Sequence, residues 1–323
     1  MSKATLNKKG CLVCGNPADI VADFNNADII HRLETSLGSS GLESVMPRPS
    51  VLRRCGSCGL EFSDPMIEPG AKFYQWLTNS GFSYPEKRWE WNACRDLAAV
   101  LQSRRKSSIT VIDVGCGTGA FLELLKQIPK VQAIGIEHNP DVVDLCRNGG
   151  LNVILSDLDE LKKQHAKHID IFTFWHVVEH VADPVGMLSQ ARDLLRIGGL
   201  LCFSVPLSPM SYEHSWPDPF NAPPHHLSRW TIASLKALSL HLNMQIHIDL
   251  PSPSALHQRV LRSLSLQAMP PFGIKNRYHK FFRLASFILQ NPLSIFIELQ
   301  RQINHQRLNG QTLPDVALVY FRR

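Results

Sequence analysis

The chain has 323 residues, 44% of them hydrophobic and 19% charged, with a formal net charge of +6. That balance excludes a disordered or fibrous protein and leaves room for a full core with a smaller appendage. No apolar run reaches membrane-spanning length and residues 1–10 have no apolar centre, so a cytoplasmic protein without a signal peptide is expected.

Residues 1–62 are expected to form a zinc-knuckle module. Cys11-Leu-Val-Cys14-Gly15 and Cys55-Gly-Ser-Cys58-Gly59 each place two thiols on one side of a tight turn. Two such pairs supply an S₄ donor set, which suits structural zinc; two disulfides or a redox pair are the alternative. Between the knuckles, 19–23 could be a strand and 36–41 a flexible loop, and 60–65 leads out into a linker. Residues 63–108 form that linker, helical over 71–77 and 89–101.

A core over 109–250 follows. Ile109, Val111, Ile112 and Val114 are β-branched and nearly continuous, as in a strand covered on both faces. The strand runs into Gly115, Gly117 and Gly119, then into a helical pattern from Ala120. Strand, glycine turn and helix open a nucleotide-binding α/β sheet. No Lys-Ser/Thr follows, which disfavours a triphosphate loop, and the G-x-G-x-G spacing disfavours a dinucleotide. Asp113 at the strand end would repel phosphate and suits an ammonium or sulfonium ligand. Val131 to Glu137 reads as a second strand ending in an acid placed to grip a ribose diol.

Further strands are expected at 151–155, 169–174 and 199–205, and helices at 119–127, 140–148, 158–165 and 184–196, with Gly198-Gly199 as a helix stop. The alternation predicts a doubly wound α/β sheet with ligand loops at the carboxyl ends of its strands. Residues 205–224 hold six prolines and form a long structured loop ending at His225 and His226. A histidine there could deprotonate a hydroxyl, or the pair could simply bond loop carbonyls. Leu227 to Thr231 caps a helix reaching about 242. Residues 251–310 interrupt the core before its last strand in 311–323. They carry eight Lys or Arg against one acid, so the rest of the chain is close to neutral. This argues against a nucleic-acid partner. The insertion reads as two helices split by Pro292, either a lid or a peripheral contact with an anionic membrane through Lys280, Arg283 and Arg301.

Ile112-Asp-Val-Gly-Cys-Gly-Thr-Gly119, Gly135-Ile-Glu137 and Trp175-His-Val-Val-Glu-His-Val-Ala-Asp-Pro184 resemble the class I S-adenosylmethionine (SAM)-dependent methyltransferases, most closely the branch that includes the ubiquinone-biosynthesis O-methyltransferases. Joined to cysteine knuckles, the arrangement is also similar to bacterial zinc-knuckle methyltransferases of sugars and related metabolites. The resemblance implies a seven-stranded Rossmann-like sheet. It implies Asp113, Gly115 and Gly117 at the amino-acid part of SAM, Glu137 on the ribose, and His138 beside the adenine. Asp157 takes the adenine amino group or caps a helix. Trp175 and His176 lie beside the methyl-transfer zone, as core or as a cation–π face. His180, His225 and His226 are the candidate catalytic groups. The acceptor is expected to be a hydroxyl of a small or carrier-linked metabolite. C-methylation of a nucleotide sugar and an RNA-binding methylation factor are the alternatives.

Overall fold

A computed structural model describes residues 9–24, 26–82, 87–105, 107–158, 160–161, 169–214, 218–268, 277–305, 307–308 and 310–323. Most of the helix expected over 158–165 lies outside the described residues, as does Lys275.

The chain opens with β1 (Lys9–Gly10), β2 (Pro17–Phe24), α1 (Asn26–Leu37), β3 (Ser50–Cys55) and β4 (Glu61–Asp64). The strands form an antiparallel sheet, and the two knuckles occupy the β1–β2 and β3–β4 turns. Gly15 and Gly59 close these turns at φ of 72° and 71°, a conformation that side chains resist. Residues 60–65 were expected to lead out of the module; instead β4 gains a fifth strand, β10 (Ser228–Arg229), from the core. Arg229 then bridges the carboxylates of Glu61 (3.1 Å) and Glu213 (3.0 Å). Helix α1 packs with α2 (Ala71–Asn79) through Leu33, Phe73 and Leu77, and Phe220 of the proline loop joins the same cluster. Module, linker and loop therefore share one hydrophobic core.

The central sheet has the order β11-β14-β9-β8-β5-β6-β7, from β5 (Ile109–Val114), β6 (Val131–Glu137), β7 (Val153–Leu155), β8 (Ile169–Trp175), β9 (Leu195–Pro206), β11 (Gln245–Asp249) and β14 (Val316–Arg322). β5 to β9 pair in parallel, while β14 runs antiparallel to both β9 and β11. The seven strands match the expected sheet. The β-branched run of β5 splits between two layers. Val111 packs with Trp91 and Cys94 of α3 (Trp89–Arg105) and Phe121 of α4 (Ala120–Leu125). Ile112 and Val114 pack with Leu188 of α6 (Pro184–Leu194) and Leu235 of α7 (Ile232–Leu242). Three helix starts are written locally: Asn139 caps α5 (Pro140–Asn148), Asp183 caps α6, and Thr231 with Ser234 forms a capping box for α7.

One boundary differs. Gly198-Gly199 does not stop a helix; α6 ends at Leu194 and the glycines lie inside β9, with Gly198 at φ 77°. The C-terminal residue accounts for this, since Gly198 donates to the Arg323 carbonyl and Arg323 donates back to Gly199. The insertion forms α8 (Leu256–Ala268), α9 (Arg277–Gln290) and α10 (Ser294–Ile303), followed by a short hairpin of β12 (Arg307–Leu308) and β13 (Gln311–Thr312).

Candidate active site

Strand order reverses at β5: the chain moves outward through β6 and β7, then returns to β8 on the other side. Ligands bind at such switch points. Gly115, Gly117 and Gly119 turn there at φ of 67°, 52° and 78°. A Cβ on Gly115 would sit 2.8 Å from Val177, while one on Gly117 would meet nothing within 4 Å. The turn is therefore tight against the β8 loop on one side and open at its tip.

Two acids frame the turn. Asp113 is 1% exposed and accepts a hydrogen bond from Thr173 Oγ1 at 2.6 Å. Burial raises its pKa to about 7, against the Thr173 hydrogen bond. Glu137 accepts from the N–H of Gly117 (3.0 Å) through Oε2 and from those of His138 and Asn139 through Oε1. A carboxylate offers about four lone-pair sites, so with three taken, acceptor capacity remains for a ribose hydroxyl. Among the described residues no Lys or Arg lies within ion-pair reach of either acid. Uncompensated acids around an open glycine turn fit a ligand that brings both positive charge and hydroxyls, as SAM does. His138 is exposed beside Glu137. Asp157 is also exposed and accepts from the N–H of Glu160 at 2.9 Å, so it does cap the next turn. Burial pushes the Cys116 thiol up, away from the thiolate that a nucleophile needs.

At the end of β8, Trp175 faces the core and meets Phe121 edge-on at 5.0 Å. His176 stands at φ 54° and turns outward between two buried carboxylates, Glu179 (3.1 Å) and Glu90 of α3 (3.3 Å). Burial pushes its pKa down, but the two hydrogen bonds outweigh burial and raise it above the ordinary value. Glu90 and Glu179 are held below theirs, because the His176 hydrogen bond overcomes their burial. Nothing in the sequence of α3 marks Glu90; a buried acid on an otherwise ordinary helix becomes legible only when its partner is seen.

The structure brings His180, His225 and His226 together, with ring centroids 4.6–4.8 Å apart. His225 and His226 are buried and His180 is half-buried. Each turns Nδ1 to an oxygen: His180 to the His225 carbonyl, His225 to the Phe220 carbonyl, and His226 to Asn221 Oδ1. Burial pushes all three below the ordinary imidazole value, His225 to about 3. The loop-carbonyl alternative thus holds for Nδ1 of His225 and leaves Nε2 for chemistry. Asn221, Glu213 and Arg229 surround the cluster's base and were not anticipated; Asn221 donates to Glu213 and Ser208, which fixes its oxygen toward His226.

The four knuckle cysteines also converge. Cys11 Sγ lies 3.6 Å from Cys58 Sγ, and Cys14 Sγ 3.5 Å from Cys55 Sγ. A zinc ion with Zn–S of about 2.3 Å spaces tetrahedral sulfurs about 3.8 Å apart. The Cys58 hydrogen bond lowers Cys11 to about 5, against its burial. The donor set and spacing fit zinc, which these four residues would hold as a closed structural site.

A family model described as "Methyltransferase domain" matches residues 87–257, more than half of the chain. The chain belongs to this methyltransferase-domain family. It is similar to the ubiquinone biosynthesis O-methyltransferase of Coxiella burnetii, 32% identical over 29% of this chain and 42% of that protein. It is similar also to that of Bordetella avium, 32% identical over 36% of this chain and 48% of the relative. The chain thus spans less than half the length of these relatives. Among solved structures, a SAM-dependent methyltransferase from Archaeoglobus fulgidus is 20% identical, covering 71% of this chain and 94% of its own, with a TM-score of 0.45. The family match runs from just before α3 through the start of α8, so it takes in the glycine turn, both acids and all three histidines.

Proposed function

We propose that this protein transfers a methyl group from SAM to a hydroxyl of a small or carrier-linked metabolite, a sugar or secondary metabolite. The observation that carries the reading is the pair of acids, Asp113 and Glu137, without cationic partners among the described residues, around a glycine turn at the switch point. SAM, when bound, supplies a methyl carbon already activated by its sulfonium. Asp113 meets the ligand's positive charge, Glu137 accepts from ribose hydroxyls, and His138 and Asp157 flank the adenine side. The acceptor oxygen forms its bond to the methyl carbon as the carbon–sulfur bond breaks and its electron pair returns to sulfur. The hydroxyl proton leaves toward the His180, His225 and His226 cluster. His176, held by Glu90 and Glu179, positions the β8 loop that carries His180.

Calorimetry with SAM tests the cofactor assignment. Glu137→Ala leaves the ribose edge poorly paired and is expected to cost about 1–3 kcal/mol of affinity. Unchanged affinity sinks it. Labelled SAM offered with nucleotide sugars, lipid-linked sugars and phenols then identifies the acceptor and separates O- from C-methylation.

The insertion supports a second element, peripheral contact with an anionic membrane. Phe281, Phe282, Leu289, Leu293 and Phe296 are each more than 60% exposed, and Arg283 is exposed among them. Aromatic and aliphatic side chains beside basic ones suit an interface of acyl chains and anionic headgroups. Among the described residues no helix is long and apolar enough to cross a membrane. Co-sedimentation with anionic liposomes at low salt is expected, with release at high salt; protein that stays in the supernatant makes the insertion a lid.

A further inference from the structure

The histidine cluster holds more than a base requires. One ring nitrogen from each of His180, His225 and His226 lies within 4.8 Å of one from each of the others. In all three rings Nδ1 faces an oxygen with no proton to give: two backbone carbonyls and the Asn221 amide oxygen. Each ring is therefore fixed as the Nδ1–H tautomer, and each Nε2 keeps its lone pair. His225 Nε2 is buried and has no hydrogen-bond partner among the described residues, in a ring only 4% exposed. Three imidazoles anchored through one nitrogen to outer oxygens, with no hydrogen bond to the other nitrogen among the described residues, are what metal-binding histidines look like.

We propose that His180, His225 and His226 bind a divalent transition cation, zinc, through Nε2, as a second metal site separate from the four cysteines. Imidazole nitrogens suit zinc, cobalt and nickel and give little purchase to magnesium or calcium. Zinc–nitrogen bonds of about 2.0–2.1 Å draw tetrahedral ligands to about 3.3 Å of one another. Binding therefore draws the three ligand nitrogens, now up to 4.8 Å apart, together by about 1.5 Å. Three protein ligands leave a fourth position open, unlike the closed cysteine site. Its role, which rests on the methyl-transfer reading, is to take the acceptor's oxygen: a hydroxyl on the ion loses its proton to solvent at neutral pH and attacks as the oxyanion. With the ion bound, the Nε2 lone pairs are committed to it, so the histidines act as ligands and solvent, in place of the cluster, takes the hydroxyl proton. The acceptor class it selects is one that offers a coordinating hydroxyl oxygen.

The test uses the full chain and the metal alone. Wild-type protein loaded with zinc and dialysed is expected to hold two equivalents. Cobalt added to protein carrying only its first, cysteine-held zinc is expected to give weak visible bands without thiolate charge transfer. The double variant H180N/H226N is expected to keep the first equivalent and bind the second about a hundredfold more weakly. A wild type that takes up one equivalent only, or a second equivalent undiminished in the double variant, overturns the site. Should the variant fail to fold, shown by loss of the first zinc, the wild-type cobalt spectrum decides alone: thiolate charge transfer or no visible bands overturns the proposal. Binding of the second ion without any binding of SAM would overturn the methyl-transfer reading and leave the metal site standing.

Discussion

The sheet core and the helical insertion bury opposite kinds of surface. In the core, apolar side chains from both faces of β5 and β8 meet helices; of the titratable groups left inside, Asp113, Glu179, His225 and His226 lie at the carboxyl edge, while Asp170 pairs with Arg105 and Arg196 at the other end of β8. In the insertion the buried positions include Arg259, Ser263, Glu298 and Gln302 beside Val260 and Leu264, while the large apolar residues point outward. Gln302 donates to the Ser211 carbonyl (2.6 Å) and to Glu298 (2.8 Å), and Arg262 lies over the Tyr212 ring at 4.6 Å. The core is held together mainly by removing apolar area from water. The insertion is joined to the proline loop by directional hydrogen bonds, and its outer face carries exposed aromatic and aliphatic side chains. The buried polar groups at Asp113 and the histidines line the candidate site; those buried in the insertion attach it to the proline loop.

The sharpest break of this contrast is at the junction that serves both. Cys58→Ser should remove the cysteine-held zinc and cost about 4 kcal/mol or more, the range of a lost structural metal. The damage should reach the core, because Thr231 at the start of α7 donates to the Cys58 carbonyl and β10 pairs with β4. Metal analysis with thermal melting checks it; full stability with no zinc would mean the knuckles hold nothing structural.

Gln302→Leu probes the inverted interior. In an apolar core a leucine would be welcome. Here it strands the Ser211 carbonyl and removes one of the hydrogen bonds to Glu298, at about 1–3 kcal/mol. Urea unfolding that shows a neutral or stabilising effect would refute a polar attachment.

Asp113 gives a pH signature. Its folded value near 7 lies above that of an unfolded carboxyl, so it binds a proton in the folded state that the unfolded chain releases. Its contribution to stability is thus present at acid pH and lost as pH rises through about 7. A cationic ligand needs the ionised form, so SAM affinity should rise with pH up to about 7, about tenfold per unit below it, and level off above. Asp113→Asn should flatten the profile. Calorimetry at a series of pH values measures it, and a flat wild-type profile removes Asp113 from the charge-binding role.

The smallest expected effect on stability is at the outer face. Phe281→Ser with Phe282→Ser should change unfolding free energy by less than about 0.5 kcal/mol, since both rings are two-thirds exposed. The same pair should abolish liposome binding. A large loss of stability would show that these rings are packed rather than presented.

The local features were legible because they are written in adjacent residues. β-branched runs announce β5 and β8, Asn139-Pro140 and Asp183-Pro184 announce helix starts, and Gly115, Gly117 and Gly119 announce a turn whose backbone only glycine tolerates. Cysteine spacing announces the knuckles, because two thiols three residues apart can share one ion. The Gly198-Gly199 pair misled for the complementary reason: a helix stop and a bulge inside a strand look alike until Arg323, more than a hundred residues away, supplies the pairing. Pairing β10 with β4, placing Glu90 against His176, and gathering His180 with His225 and His226 all join residues about 45 or more positions apart. The sequence by itself determined which residue types and which backbone conformations are available to this protein. The tertiary structure alone decided which of them share a volume, because long-range contacts are chosen by how whole layers pack, and no local pattern encodes that choice.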